Sequence, residues 1–150
     1  MTQRQRNPKV IPATTFGQVI GSVLQSLRKA GNLPQASMAS ELELKQGGYS
    51  RLERGAGHIT VSQLRRASAA LKRDARWVLE VADKGATQLT ARGVRILEVV
   101  PAKVSRDAWM LVSDAEVHEA VRNAISEMSR YIPPVHATNR VHVHVTERQE

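Results

Sequence analysis

Residues 35–55, QASMASELELKQGGYSRLERG, constrain the fold more than any other part of the chain. Met38, Ala39 and Leu42 stand at i, i+1 and i+4, which puts them on one face of a short helix. Tyr49 and Leu52, three residues apart, supply the buried face of a second. The positions left facing outward are Lys45, Gln46, Gly47, Gly48, Ser50 and Arg51. Ammonium, amide, hydroxyl and guanidinium groups spaced in this way are the donors and acceptors that read base edges in a major groove. Double-stranded DNA is therefore the first partner to consider.

Charge points the same way. The chain of 150 residues carries a formal net charge of +8. Residues 1–84 hold 14 Lys/Arg against 6 Asp/Glu, whereas residues 85–150 hold 8 of each. All the excess positive charge thus lies in the part of the chain that holds the two short helices, where it attracts phosphates and makes binding salt-dependent. There is no cysteine, which excludes disulfides, thiolate metal sites and thiol nucleophiles. No apolar run approaches the roughly 18 residues of a membrane span, and the N-terminus lacks an apolar signal core. The expectation is a cytoplasmic protein without membrane contact.

Residues 1–14, with Arg4, Arg6, Lys9, Pro8 and Pro12, have no sustained period and read as a flexible basic arm. Phe16, Val19, Ile20, Val23, Leu24 and Leu27 form one amphipathic stripe, which Thr14 or Thr15 can cap and Gly31 can end. After the two short helices, Thr60-x-x-Gln63 is a capping box for a helix with Val61, Leu64, Ala67 and Leu71 inward. Asp74 can cap a last short helix through Trp77, Val78 and Val81, with Gly85 beyond its end.

The pattern changes near residue 85. Leu89, Gly93, Ile96, Leu97 and Val100 keep helical spacing, and residues 104–112 are ambiguous between helix and strand. Ser113-x-x-Glu116 is a second capping box, followed by a stripe of Val117, Ala120, Val121, Ala124, Ile125 and Met128. Residues 141–145, VHVHV, alternate as a half-buried strand does. A lone strand is unstable and must pair upstream or with a second subunit. The division expected is a basic arm over 1–14, a DNA-binding domain over 15–84 and a small α+β domain over 85–150, for dimerisation, effector sensing or partner binding.

Residues 16–81 resemble the Cro/Xre-type, lambda-repressor-like family of helix-turn-helix transcriptional regulators. The resemblance rests on Phe16-Gly17, Leu24, Leu27-Arg28, Gly31, Gln35, Met38-Ala39, Leu42, Ser50 to Gly55, Leu64, Ala70 and Leu71. It implies a mainly α protein with a five-helix DNA-binding domain that dimerises on palindromic operators, usually to repress. By the same resemblance Lys45, Gln46, Gly47, Ser50 and Arg51 face bases. Gln35 sits where the family contacts a phosphate, with Arg28 and Arg54 as further phosphate ligands. Glu53 is implied to be a structural acid, partnered by an Arg or a backbone group.

Three positions depart from the family pattern. Glu43 stands at the turn position usually held by glycine and must adopt a left-handed conformation. Pro34 replaces the usual capping residue before Gln35, so Asn32 is expected to cap from further upstream. Gly47-Gly48 falls within the second helix, where each glycine costs about 0.5–1 kcal/mol relative to Ala. Two readings stay open: the glycines permit close approach of DNA, or the helix starts after them.

His136, His142 and His144 raise a metal site, since His-x-His on a strand puts both rings on one face. No third ligand has fixed spacing, so no metal and no cofactor are expected. No glycine-rich phosphate loop, nucleophile elbow or His-Glu-x-x-His is present, and residues 85–150 hold one lysine, Lys103, in too short a span for a self-cleaving protease domain. The chain is expected not to be an enzyme. The alternative class is an antitoxin, whose C-terminal region neutralises a small partner protein; a regulator sensing a small ligand is a third.

Overall fold

A computed structural model describes residues 11–98 and 109–130, with side chains of 109 and 110 excepted. The order is β1 (Ile11–Thr15), α1 (Phe16–Ala30), α2 (Gln35–Glu41), α3 (Gln46–Glu53), α4 (Val61–Ala70), α5 (Ala75–Ala91), β2 (Arg95–Leu97), β3 (Trp109–Leu111) and α6 (Asp114–Arg130). The arm residues 1–10, the strand expected at 141–145 and His136, His142 and His144 lie outside the described residues.

Helix α1 forms where its apolar stripe demands, and Val19, Ile20, Val23, Leu24 and Leu27 are all buried. The Thr15 hydroxyl caps its start by accepting from the Gln18 amide at 3.1 Å. Five helices end in the same way. The residue after the C-cap is left-handed at Asn32, Glu43, Gly55, Lys72 and Gly93, with φ between 53° and 86°. At the first of these turns the Asn32 amide reaches the Lys29 carbonyl and the Leu33 amide reaches the Arg28 carbonyl. That is the Schellman pattern, which satisfies carbonyls the helix leaves open. Asn32 is thus spent on ending α1 and does not cap α2. Pro34 holds that N-cap position without a side-chain bond.

Three expectations are corrected. Helix α5 is not short: it runs unbroken past Gly85 to Ala91, so the boundary placed at 84/85 falls inside it. Gly85 is buried there, facing Val121 of α6 and Val19 of α1, where a Cβ would make ordinary contacts at 3.5 and 3.6 Å. Helices α1, α5 and α6 pack on one another, and a single apolar cluster runs from Val19 through Leu89 to Ala124. The stripe on α6 holds as expected, with Val117, Ala120, Val121 and Ala124 buried and Ile125 and Met128 half-buried against the cluster.

The second correction concerns residues 95–97, which are a strand rather than a continued helix, because Gly93 turns left-handed at φ +86°. The third concerns residues 11–14. They are no arm but most of the central strand of a parallel sheet ordered β2-β1-β3. Ala13 pairs with Arg95 on one side and Leu111 on the other. Pro12 is tolerated in this central strand because of the ladder's alternation. The Ala13 carbonyl accepts from the Val112 amide on the β3 side, which turns Pro12 toward β2. The β2 ladder begins only at Ala13, so the missing N–H leaves no bond unmade.

Hydrogen bonds tie the sheet to the helices. The Thr14 hydroxyl donates to Gln18 Oε1 at 2.7 Å, and Gln18 Nε2 donates to Asp114 Oδ1 at 2.6 Å. The capping box at Thr60 and Gln63 is complete, yet Val61, expected inward, is 77% exposed. It occupies the first helical position, beyond the edge of the core that Leu64 and Ala67 reach. At α6 only the serine half of the second box is present, with the Glu116 amide donating to Ser113 Oγ at 3.3 Å.

Candidate nucleic-acid interface

Helix α2 and helix α3 are held at a fixed angle by the turn at Leu42–Lys45. Glu43 takes the left-handed position at φ +56°, its amide donating to the Ser40 carbonyl and the Leu44 amide to the Ala39 carbonyl at 2.8 Å. The cost of a left-handed glutamate is thereby met by two capped carbonyls. An exposed ion pair from Arg66 to Glu43 at 3.1 Å steadies the same turn from α4. Met38 and Ala39 of α2, Leu42 of the turn and Tyr49 and Leu52 of α3 are buried as their spacing implies.

Helix α3 begins at Gln46, so Gly47 and Gly48 belong to its first turn; it does not start after them. Its buried residues are Tyr49, Leu52 and Glu53. Lys45, Gln46, Gly47 and Arg51 are exposed and Ser50 is half-buried. Lys45, at the N-cap, makes no side-chain capping bond. All five residues expected to read bases therefore lie in one exposed or half-exposed strip, which spans two turns of helix.

The phosphate ligands fare differently. Arg28 is a correction: it is only 9% exposed and its guanidinium is committed inward. Nε donates to Glu53 Oε1 at 2.5 Å, Nη2 to Glu53 Oε2 at 3.1 Å and Nη1 to the Leu33 carbonyl at 2.9 Å. The stripe residue next to Leu27 faces the core, and a buried carboxylate is what makes an arginine there tolerable. Glu53 is indeed the internal partner of an arginine. Gln35 is half-buried and donates from Nε2 to Glu53 Oε2 at 2.9 Å, which leaves one of its two amide hydrogens for an outside acceptor. Arg54 stays exposed, with Nε 3.4 Å from the Ser50 carbonyl.

Gly21 sets the approach of α1 to α3. A Cβ there would lie 2.4 Å from the Glu53 carbonyl oxygen and 2.5 Å from that of Leu52. Gly55, at φ +70°, would put a Cβ 2.4 Å from Gln18 Cα. These two glycines set α1 directly against the C-terminal end of α3 and so fix the direction in which α3 points. A glycine inside an otherwise strong helical stripe is the signal for such an approach.

Residues 24–78 match the family model described as helix-turn-helix. The match covers a little over a third of the chain. The helix-turn-helix segment opens inside α1 and closes inside α5, so β1, the rest of α5, β2, β3 and α6 lie outside the match. No curated protein matches the chain in sequence. Among solved structures, the chain is similar to the crystal structure of the clp gene regulator ClgR from Corynebacterium glutamicum. The two are 24% identical over 53% of this chain and 83% of that one, with a TM-score of 0.48.

Among the described residues no group of three or more His, Asp or Glu side chains is placed to hold a metal ion. No helix among them is long and apolar enough to cross a membrane. The open grooves on the helix-turn-helix segment are shallow. One is lined by Ser40, Glu41, Glu43 and Arg66, and another by Val61, Leu64, Arg65, Arg73 and Leu79. In the second, the Arg73 guanidinium lies 4.9 Å from the centroid of the Trp77 ring, a cation–π contact at the surface.

Proposed function

We propose that this protein is a sequence-specific, double-stranded DNA-binding regulator of transcription, acting as a dimer that represses from a palindromic operator. The observation that carries the reading is the strip of Lys45, Gln46, Gly47, Ser50 and Arg51 on a helix anchored from behind by Tyr49 and Leu52. Arg51 suits a bidentate contact to guanine O6 and N7, and Gln46 suits adenine N6 and N7. Ser50 accepts or donates, and Lys45 serves a base or a phosphate. Arg54 and the remaining amide hydrogen of Gln35 are suited to phosphates, aided by the basic balance of residues 1–84.

One such helix reads about half a site. Two copies related by a twofold axis place their α3 helices one DNA turn, about 34 Å, apart and multiply the discrimination. A dimer seated across an operator excludes other proteins from that stretch of duplex, which makes repression the simplest outcome.

The test is selection of bound duplexes from a random pool at about 0.15 M salt. The expected product is an enriched inverted repeat. Arg51→Ala then weakens binding by roughly 5- to 150-fold, equivalent to about 1–3 kcal/mol, and relaxes preference at one base position. Failure to enrich any sequence above random duplex overturns the reading. A monomer by light scattering, with operator bound, overturns the dimer.

A further inference from the structure

Gly47 stands at the second position of α3, exposed, in a backbone conformation open to any residue. A Cβ built on it meets nothing within 4 Å among the described residues. Neither backbone geometry nor packing among the described residues asks for glycine there. Alanine at that position strengthens the helix, since glycine gives up more backbone entropy on folding. The free protein is thus less stable with Gly47 than it would be with alanine.

The other glycines of this region show what an internal requirement looks like. Gly21 and Gly55 each have backbone atoms 2.4 Å from where a Cβ would sit. Gly48, one residue along, would place a Cβ 3.7 Å from Leu44 Cβ, an ordinary contact turned toward the protein. Gly47 alone of these four has no neighbour for a Cβ among the described residues, and it lies within the strip formed by Gln46, Ser50 and Arg51.

From this we infer that Gly47 is a specificity-determining position whose bare Cα lets the major-groove edge of duplex DNA approach the first turn of α3 more closely than any side chain would allow. The inference rests on the DNA reading above. It assigns to the helix backbone a contact that the neighbouring side chains cannot make, and it makes the size of position 47 the quantity that DNA senses.

The experiment uses the full chain, the duplex enriched by the unaltered protein, and the variants Gly47→Ala and Gly48→Ala. Both substitutions are expected to raise the Tm of the free protein, by about 1–4 °C each. Gly47→Ala is expected to bind the enriched duplex at least about tenfold more weakly, while its affinity for random duplex is unchanged. Gly48→Ala, whose methyl meets Leu44, keeps the affinity of the unaltered protein. Equal binding by Gly47→Ala, with its Tm raised, overturns the inference and leaves the DNA reading intact. Equal losses in both variants also overturn it, by showing a general response of the first turn. If the unaltered protein enriches no sequence, the DNA reading fails and the inference falls with it.

Discussion

Arg28 of α1 and Glu53 of α3 form a buried, two-pronged ion pair, with Nε to Oε1 at 2.5 Å and Nη2 to Oε2 at 3.1 Å. Gln35 of α2 donates to the same carboxylate, so three helices converge on one acid. The hydrogen bond to Glu53, outweighing burial, raises the pKa of the guanidinium above its ordinary value. Breaking such a pair strands a charge in the core. Glu53→Gln is expected to cost about 3–5 kcal/mol in urea unfolding. The double change Arg28→Met with Glu53→Leu should recover most of that loss, because apolar residues of similar volume carry no desolvation cost.

Tyr49 gives the protein an alkaline limit. Its ring is fully buried and its hydroxyl has no hydrogen-bond partner among the described residues. Burial first, and then the negative charge of Glu53, push its ionisation well above the ordinary value of 10.0. The folded state therefore holds the phenol proton more tightly than the unfolded state does. That contribution is complete below pH 10 and is lost as pH rises beyond it, where only the unfolded chain ionises. Unfolding free energy measured from pH 8 to 11.5 is expected to fall in the upper part of the range, and Tyr49→Phe should flatten that fall. At pH 7 the same substitution should be neutral or slightly stabilising, since it removes an unsatisfied hydroxyl.

Gly21→Ala tests the seating of α1 on α3. A methyl 2.4 Å from the Glu53 carbonyl cannot be accommodated unless one helix moves. The expected loss is about 3 kcal/mol or more. Unfolding by urea at an unchanged midpoint would show that α1 and α3 do not pack so closely.

Cutting the chain at 84/85 tests whether the helix-turn-helix segment stands alone. The cut severs α5 in mid-helix and removes α6, whose Val117, Ala120, Val121 and Ala124 are all fully buried. Residues 1–84 are expected to lose the sharp, cooperative melt of the full chain, read by near-ultraviolet circular dichroism. A cooperative melt in the fragment would restore the boundary that composition suggests.

Much of this was legible in the sequence because local rules govern it. Thr15 and Gly31 bracket α1, Thr60 and Gln63 cap α4, and Glu43 takes the left-handed turn, each decided within a few residues. The exposed strip on α3 followed from where Tyr49 and Leu52 had to point. What escaped depends on distant partners. Residues 11–14 look like a tail until Arg95 and Leu111 come to flank Ala13. Gly85 looks like a stop until Val121 packs over it. Arg28 looks like a phosphate ligand until Glu53 claims it.

The placing of β1 between β2 and β3 also orders events during synthesis. The middle strand leaves the ribosome first, yet its neighbours lie 80 or more residues later in the chain. At 5–20 residues per second that is a wait of roughly 4–16 s. During it α1 to α5, built from local contacts, can form while the strand beside them stays unpaired. Its pairing is the long-range step, and it waits on segments that emerge only shortly before α6.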